Sequence, residues 1–143
     1  MGRLRDQAGF TLIETATVVL ILGVLVAVVV PAYFGFTRSS QTAKAKANVR
    51  SALPVAEEMS GMNGSYAGMS GSTLRTTAPG IGAHVKAVAV NSNLGYCIQD
   101  TENRGSTFYN YVGGTPGLAL KSGYSRATIQ SGSCLKAVGI VAS

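Results

Sequence analysis

Apolar residues are not spread evenly along this chain. From Phe10 to Val30 the sequence reads FTLIETATVVLILGVLVAVVV, 21 residues with a single charge, Glu14. As a helix this run extends about 31 Å, enough to cross a hydrocarbon core of about 30 Å. It is apolar on every side rather than along one stripe, so it must lie in lipid or be wrapped by protein. Helical patterning continues past Pro31. Ala45, Val49, Ala52, Ala56 and Met59 recur at spacings of 4, 3, 4 and 3, forming one apolar stripe of mostly small residues. Lys44, Lys46, Asn48 and Arg50 fall mostly elsewhere on the helix. Pro54 is expected to bend this second part, and Gly61, Asn63 and Gly64 to end it.

Residues 61–82 hold Gly61, Gly64, Gly68, Gly71, Pro79, Gly80 and Gly82, which reads as a long connecting loop. Asn63-Gly64-Ser65 has the form of a glycosylation acceptor and is read as a turn. Short strand candidates follow at Val85–Val90, Leu94–Gln99, Phe108–Val112 and Ala127–Gln130, each bounded by Asn, Gly, Ser or Pro. The expected fold class is α+β: a long N-terminal helix, its first half membrane-spanning, packed on a small antiparallel sheet.

Composition narrows the function. The 143 residues are one ordinary domain's worth, and 13% charged residues is about half the usual share. The formal charge of +6 is spread out. Residues 61–143 carry Arg75, Lys86, Arg104, Lys121, Arg126 and Lys136 against Asp100 and Glu102, six minus two, or +4. A basic exported region admits sequence-independent DNA binding that weakens with salt, but aromatic stacking partners are not clearly interleaved with the basic residues. His84 is the only histidine, so no metal cluster of the usual His/Cys spacing can be assembled. Asp100-Thr101-Glu102 is a poor calcium signal and reads as solvated loop. No phosphate-binding glycine loop or nucleophile motif is present, so neither enzyme activity nor a cofactor is expected. Two cysteines, Cys97 and Cys134, lie past the apolar run. If that part is exported, a disulfide between them is natural; the alternative is two buried thiols.

Two plain patterns could produce the apolar segment, and a third must explain Glu14. A secretory signal has an apolar region of about 7–15 residues and a small-residue cleavage site, and Val30-Pro31-Ala32 could serve as one. A plain membrane anchor fits the composition equally. Neither explains Glu14, because a carboxylate in a membrane helix costs up to about 3 kcal/mol at the centre and less near an end. Protonation is one remedy. Cleavage before Phe10 is another, since it creates an α-amino group that can meet Glu14 within one chain or between chains.

Gly9-Phe10-Thr11-Leu12-Ile13-Glu14, after a short polar leader with Arg3 and Arg5, resembles the cleavage motif of type IV prepilins and pseudopilins at all six positions. Gly23 and Pro31 fall where that family commonly has a glycine and a helix-bending proline. The resemblance is strong over residues 1–40 and general beyond. It implies cleavage between Gly9 and Phe10 by a membrane prepilin peptidase, N-methylation of Phe10, and engagement of Glu14 with a neighbour's N-terminus. It also implies that the helix loosens between Gly23 and Pro31 in the filament, and that Cys134 ties the tail to the strand carrying Cys97. The chain then divides into a leader at 1–9, a hydrophobic filament-core helix at 10–36 and an exported domain at 37–143. The expected role is a structural subunit, the major pilin, of a homopolymeric extracellular filament. It would be held in the cytoplasmic membrane before the assembly machinery takes it, and the filament would serve adhesion, motility or DNA uptake. Minor pilin, secretion pseudopilin and a membrane-anchored basic DNA- or surface-binding module are the alternatives. Arg3 and Arg5 on one side against Arg38 and Lys44 on the other leave the positive-inside rule close to a tie; the motif and the cysteine pair put the leader in the cytoplasm. Phe10, Tyr33, Phe34 and Phe36 are read as packing between helices rather than as an electron-conducting column.

Overall fold

The computed structural model describes residues 10–100, 108–114, 119–140 and 142. The chain divides into two compact units, Met1–Arg38 and Ser39–Ser143. Helix α1 runs from Leu12 to Asn63. Within the first unit no residue in the apolar window of this helix is buried.

In the second unit α1 buries Ala45, Val49, Ala52, Val55, Ala56 and Met59. This is the small-residue stripe expected from the spacing, with Val55 added. Pro54 does not end the helix. It lies on the exposed side, between buried Ala52 and Val55, so the carbonyl it leaves without a donor can be served by water. The helix stops where the turn residues begin: Gly64 takes φ +69° and donates its N–H to Ser60 O at 2.8 Å, a left-handed cap suited to glycine.

The stripe packs on one face of a four-stranded antiparallel sheet in the order β1-β2-β3-β4, with β1 Val85–Val90, β2 Gly95–Asp100, β3 Tyr109–Gly114 and β4 Gln130–Ser131. Residues directly opposite in the register share a face. Val85, Ala87, Tyr96 and Ile98 join the α1 stripe in the larger core, while Cys97, Val112, Cys134 and Ala137 form a second, smaller core on the other face. Asn91, Ser92 and Asn93 connect β1 to β2 with φ of 52°, 52° and 67°; two of the three are Asn, the type that best tolerates this left-handed region apart from glycine.

Two short helices differ from the sequence reading. The stretch 61–82 is not all loop, for it contains α2, Gly71–Thr77, capped by Ser70 Oγ, which accepts the Thr73 N–H at 3.2 Å. A single apolar side chain, Leu74, anchors it, fully buried. One anchor in seven residues leaves no periodicity to read. Helix α3, Cys134–Val138, is capped by Ser133 and closed by Gly139 at φ 82°. Strand β1 has the expected bounds. Strands β2 and β3 begin one residue later than expected, and β4 is reduced to two residues next to the α3 cap.

Candidate functional site

The first turn of α1 carries the only acid of the apolar run. Glu14 and Thr11 form a reciprocal cap. Thr11 N–H and Thr11 Oγ1 both donate to Glu14 Oε2, at 3.0 and 2.8 Å, and Glu14 N–H donates to Thr11 Oγ1 at 3.3 Å. The pattern Thr-x-x-Glu at a helix start is a capping box. It satisfies helix donors that otherwise have no partner. Thr11 is the functional residue that the reading of the sequence passed over, although its spacing from Glu14 was the signal.

Around this polar pair the helix is apolar and uncovered. Phe10 is 87% exposed and Leu12 88%. Tyr33 and Phe34 sit edge to face at 6.3 Å, and both are exposed, as is Phe36. Gly23 and Pro31 lie within unbroken α1, and a Cβ added at Gly23 would meet nothing within 4 Å. In this single chain the stretch between them is helical. Gly9 lies outside the described residues.

In the second unit Cys97 and Cys134 are bonded, with their Cα atoms 5.9 Å apart and 37 residues between them in sequence. Both are fully buried. The bond ties α3 to β2, and Gln99 Oε1 accepts the Cys134 N–H at 2.7 Å beside it.

Several charges have structural partners. Glu57 accepts two phenols, Tyr66 Oη at 2.8 Å and Tyr96 Oη at 2.7 Å. Burial, and next the bond to this carboxylate, raise both phenols above their ordinary value. Asp100 is not solvated loop as expected: it ends β2 fully buried and accepts Asn48 Nδ2 at 2.8 Å. Glu102 and Arg104 lie outside the described residues. Arg75 Nη1 donates to Val85 O at 2.9 Å and Ala83 O at 3.2 Å, and Arg126 Nη2 donates to Gly114 O. Two of the six basic residues considered for DNA capture therefore cover backbone carbonyls beside the sheet. Among the described residues, no group of three or more His, Cys, Asp or Glu could hold a metal ion.

A profile described as the prokaryotic N-terminal methylation motif matches residues 4–30. Two fimbrial proteins of Pseudomonas aeruginosa are each 33% identical to this chain over 120 residues, covering 82% of it and 76% of their own length. No solved structure matches the chain.

Proposed function

We propose, because this chain belongs to the type IV pilin family, that it is the major structural subunit of an extracellular filament. The observation that carries this reading is an uncovered apolar helix segment whose one carboxylate sits in its first turn. A helix apolar on all sides needs either lipid or other helices around it. It can use both in turn: lipid while the subunit waits in the cytoplasmic membrane, then the same helix of neighbouring copies in the filament.

Cleavage between Gly9 and Phe10 by a prepilin peptidase places a new amine next to that carboxylate. In the assembled filament the amine of one subunit pairs with Glu14 of the next and fixes their axial offset. In a low-dielectric core an unpaired charge costs several kcal/mol, so mis-stepped subunits are disfavoured. Gly23 and Pro31 supply low helix propensity and a missing donor where a packed helix needs to yield. The second unit then forms the outer surface of the filament, and its buried disulfide suits an oxidising exterior.

Electron microscopy of sheared surface filaments, with mass spectrometry of their subunit, tests this. The expected subunit begins at N-methylated Phe10 and is the main mass of the filament. A chain beginning at Tyr33 would establish a secretory signal instead. A subunit present only in traces would assign it to the minor pilins.

A further inference from the structure

The face of the sheet turned away from α1 holds a cleft of about 360 Å³ lined by Lys86, Gln99, Phe108, Ser133, Leu135 and Ala142. Its polar groups come from two adjacent strands and a helix cap. Lys86 and Gln99 are direct register partners on β1 and β2, so their side chains leave the sheet on the same side. Gln99 is only 6% exposed. Its carbonyl end is tied to the Cys134 N–H at 2.7 Å, which turns the amide NH2 into the end left for the cleft; no partner for that NH2 is found among the described residues. Ser133 Oγ accepts the Lys136 N–H at 3.4 Å, so its proton remains free to donate. Lys86 is exposed and has no ion pair among the described residues.

These three groups offer donors and one positive charge. Lys86, the Gln99 NH2 and the Ser133 hydroxyl each have a proton to give, while Gln99 Oε1 is turned to the Cys134 N–H, so the cleft suits a ligand that accepts. Phe108, Leu135 and Ala142 supply an apolar wall beside them. The Cys97–Cys134 bond anchors the Gln99 strand to the Ser133 cap, so the donors are preorganised rather than gathered on binding.

We propose that this cleft binds a small organic carboxylate with an apolar stem: the carboxylate takes Lys86 Nζ and Gln99 Nε2, and the stem lies against Phe108 and Leu135. The site belongs to a single subunit and does not depend on filament assembly.

The test is nuclear magnetic resonance titration of the isotope-labelled full chain in micelles, following the Gln99 side-chain NH2 and the Cys134 backbone N–H. The probes are hexanoate, hexanamide and acetate. Hexanoate should give saturable shifts at both groups. Hexanamide, which keeps the stem without the charge, and acetate, which keeps the charge without the stem, should each bind at least about tenfold more weakly. Lys86→Gln, an exposed substitution that leaves the core untouched, should weaken hexanoate by about tenfold. N-acetyl-leucine, a mimic of a peptide C-terminus, separates the two sources of such a carboxylate. If it binds more tightly than hexanoate, the source is a chain end; if more weakly, it is a free acid. No saturable shift with either acid, equal binding of hexanamide, or unchanged binding in Lys86→Gln would overturn the proposal.

Discussion

Thr11 and Glu14 hold each other at the start of α1 through three hydrogen bonds, two of them converging on a single carboxylate oxygen, Oε2. The arrangement gives the acid donors within its own chain before any neighbour arrives. A buried polar group with a partner costs far less than one without, so the pair lets a lone subunit wait in lipid. Among the described residues Oε1 has no such partner, so the proposed pairing with a neighbour's amine would fall to it.

Thr11→Val removes the hydroxyl but keeps the branched shape. Loss of an N-terminal cap costs about 1 kcal/mol, so the Glu14 amide should exchange with deuterium about fivefold faster in micelles. Thr11→Ser should restore the slow rate. Equal exchange in Thr11→Val and wild type would show that the hydroxyl does not cap the helix.

Closing the 37-residue separation between Cys97 and Cys134 constrains the unfolded chain by about 4 kcal/mol in the entropy model. The double variant Cys97→Ala, Cys134→Ala should lower the urea midpoint of the second unit by a corresponding amount. It should also free α3 from β2, seen as loss of exchange protection at the Lys136 and Ala137 amides, which donate to Ser133 O. A midpoint unchanged from wild type would mean that the smaller core holds without its bond.

Gly71, the first residue of α2, sits against β1. A Cβ added there would lie 2.2 Å from Val85 O and 3.1 Å from Lys86 Cα, both backbone atoms. Backbone cannot swing aside as a side-chain tip can. Gly71→Ala should destabilise the second unit by about 1–3 kcal/mol and loosen Arg75 from the Val85 carbonyl. Thermal melting of the variant with its disulfide intact checks this, and an unaltered melting temperature would contradict the close approach.

Tyr66 and Tyr96 make stability sensitive to alkali. Both phenols are raised above the ordinary value of 10.0 by burial and then by Glu57. Below that value they are protonated whether the chain is folded or not, and their contribution is fully present. As pH rises past it the unfolded chain loses its protons first, so stability falls across the window up to the folded values. Tyr96→Phe should remove one proton from that dependence, making the decline above pH 10.0 shallower by about 1.4 kcal/mol per pH unit. Urea midpoints from neutral to alkaline pH, followed by far-ultraviolet dichroism, measure the slope. Parallel slopes in the variant and wild type would mean that the phenol titrates alike in both states.

What could be read from the sequence was what repeats. The stripe Ala45, Val49, Ala52, Ala56 and Met59 has helical period, and all five are buried. Strand β1 alternates and is bounded by turn residues, and its bounds are as expected. Elements held by one or two tertiary contacts could not be read. Helix α2 exists because Leu74 is buried and Arg75 reaches two carbonyls ten and eight residues on, and no local pattern encodes either. Just past β4, Gly132 O accepts the Asn110 side chain and Gly132 N–H donates to Phe108 O, contacts that no local pattern encodes. Asp100 misled because its partner, Asn48, lies 52 residues away. At the N-terminus the lone acid was plain, while the meaning of Thr11 needed the helix start to be fixed first.

Glu14→Val separates a filament subunit from a plain anchor. A plain anchor or signal gains nothing from a carboxylate there, so its insertion would be intact or improved. A filament subunit loses the partner of its neighbour's amine. The variant should be stable, processed and held in the membrane, yet assemble poorly, because the amine of the next subunit is left uncompensated in a low-dielectric core. The measurement is the ratio of sheared surface filament to cell-associated subunit, compared between variant and wild type. The variant's ratio should be at least about tenfold lower, the equivalent of about 1.4 kcal/mol per contact at equilibrium; an unchanged ratio would mean that Glu14 is not an assembly contact.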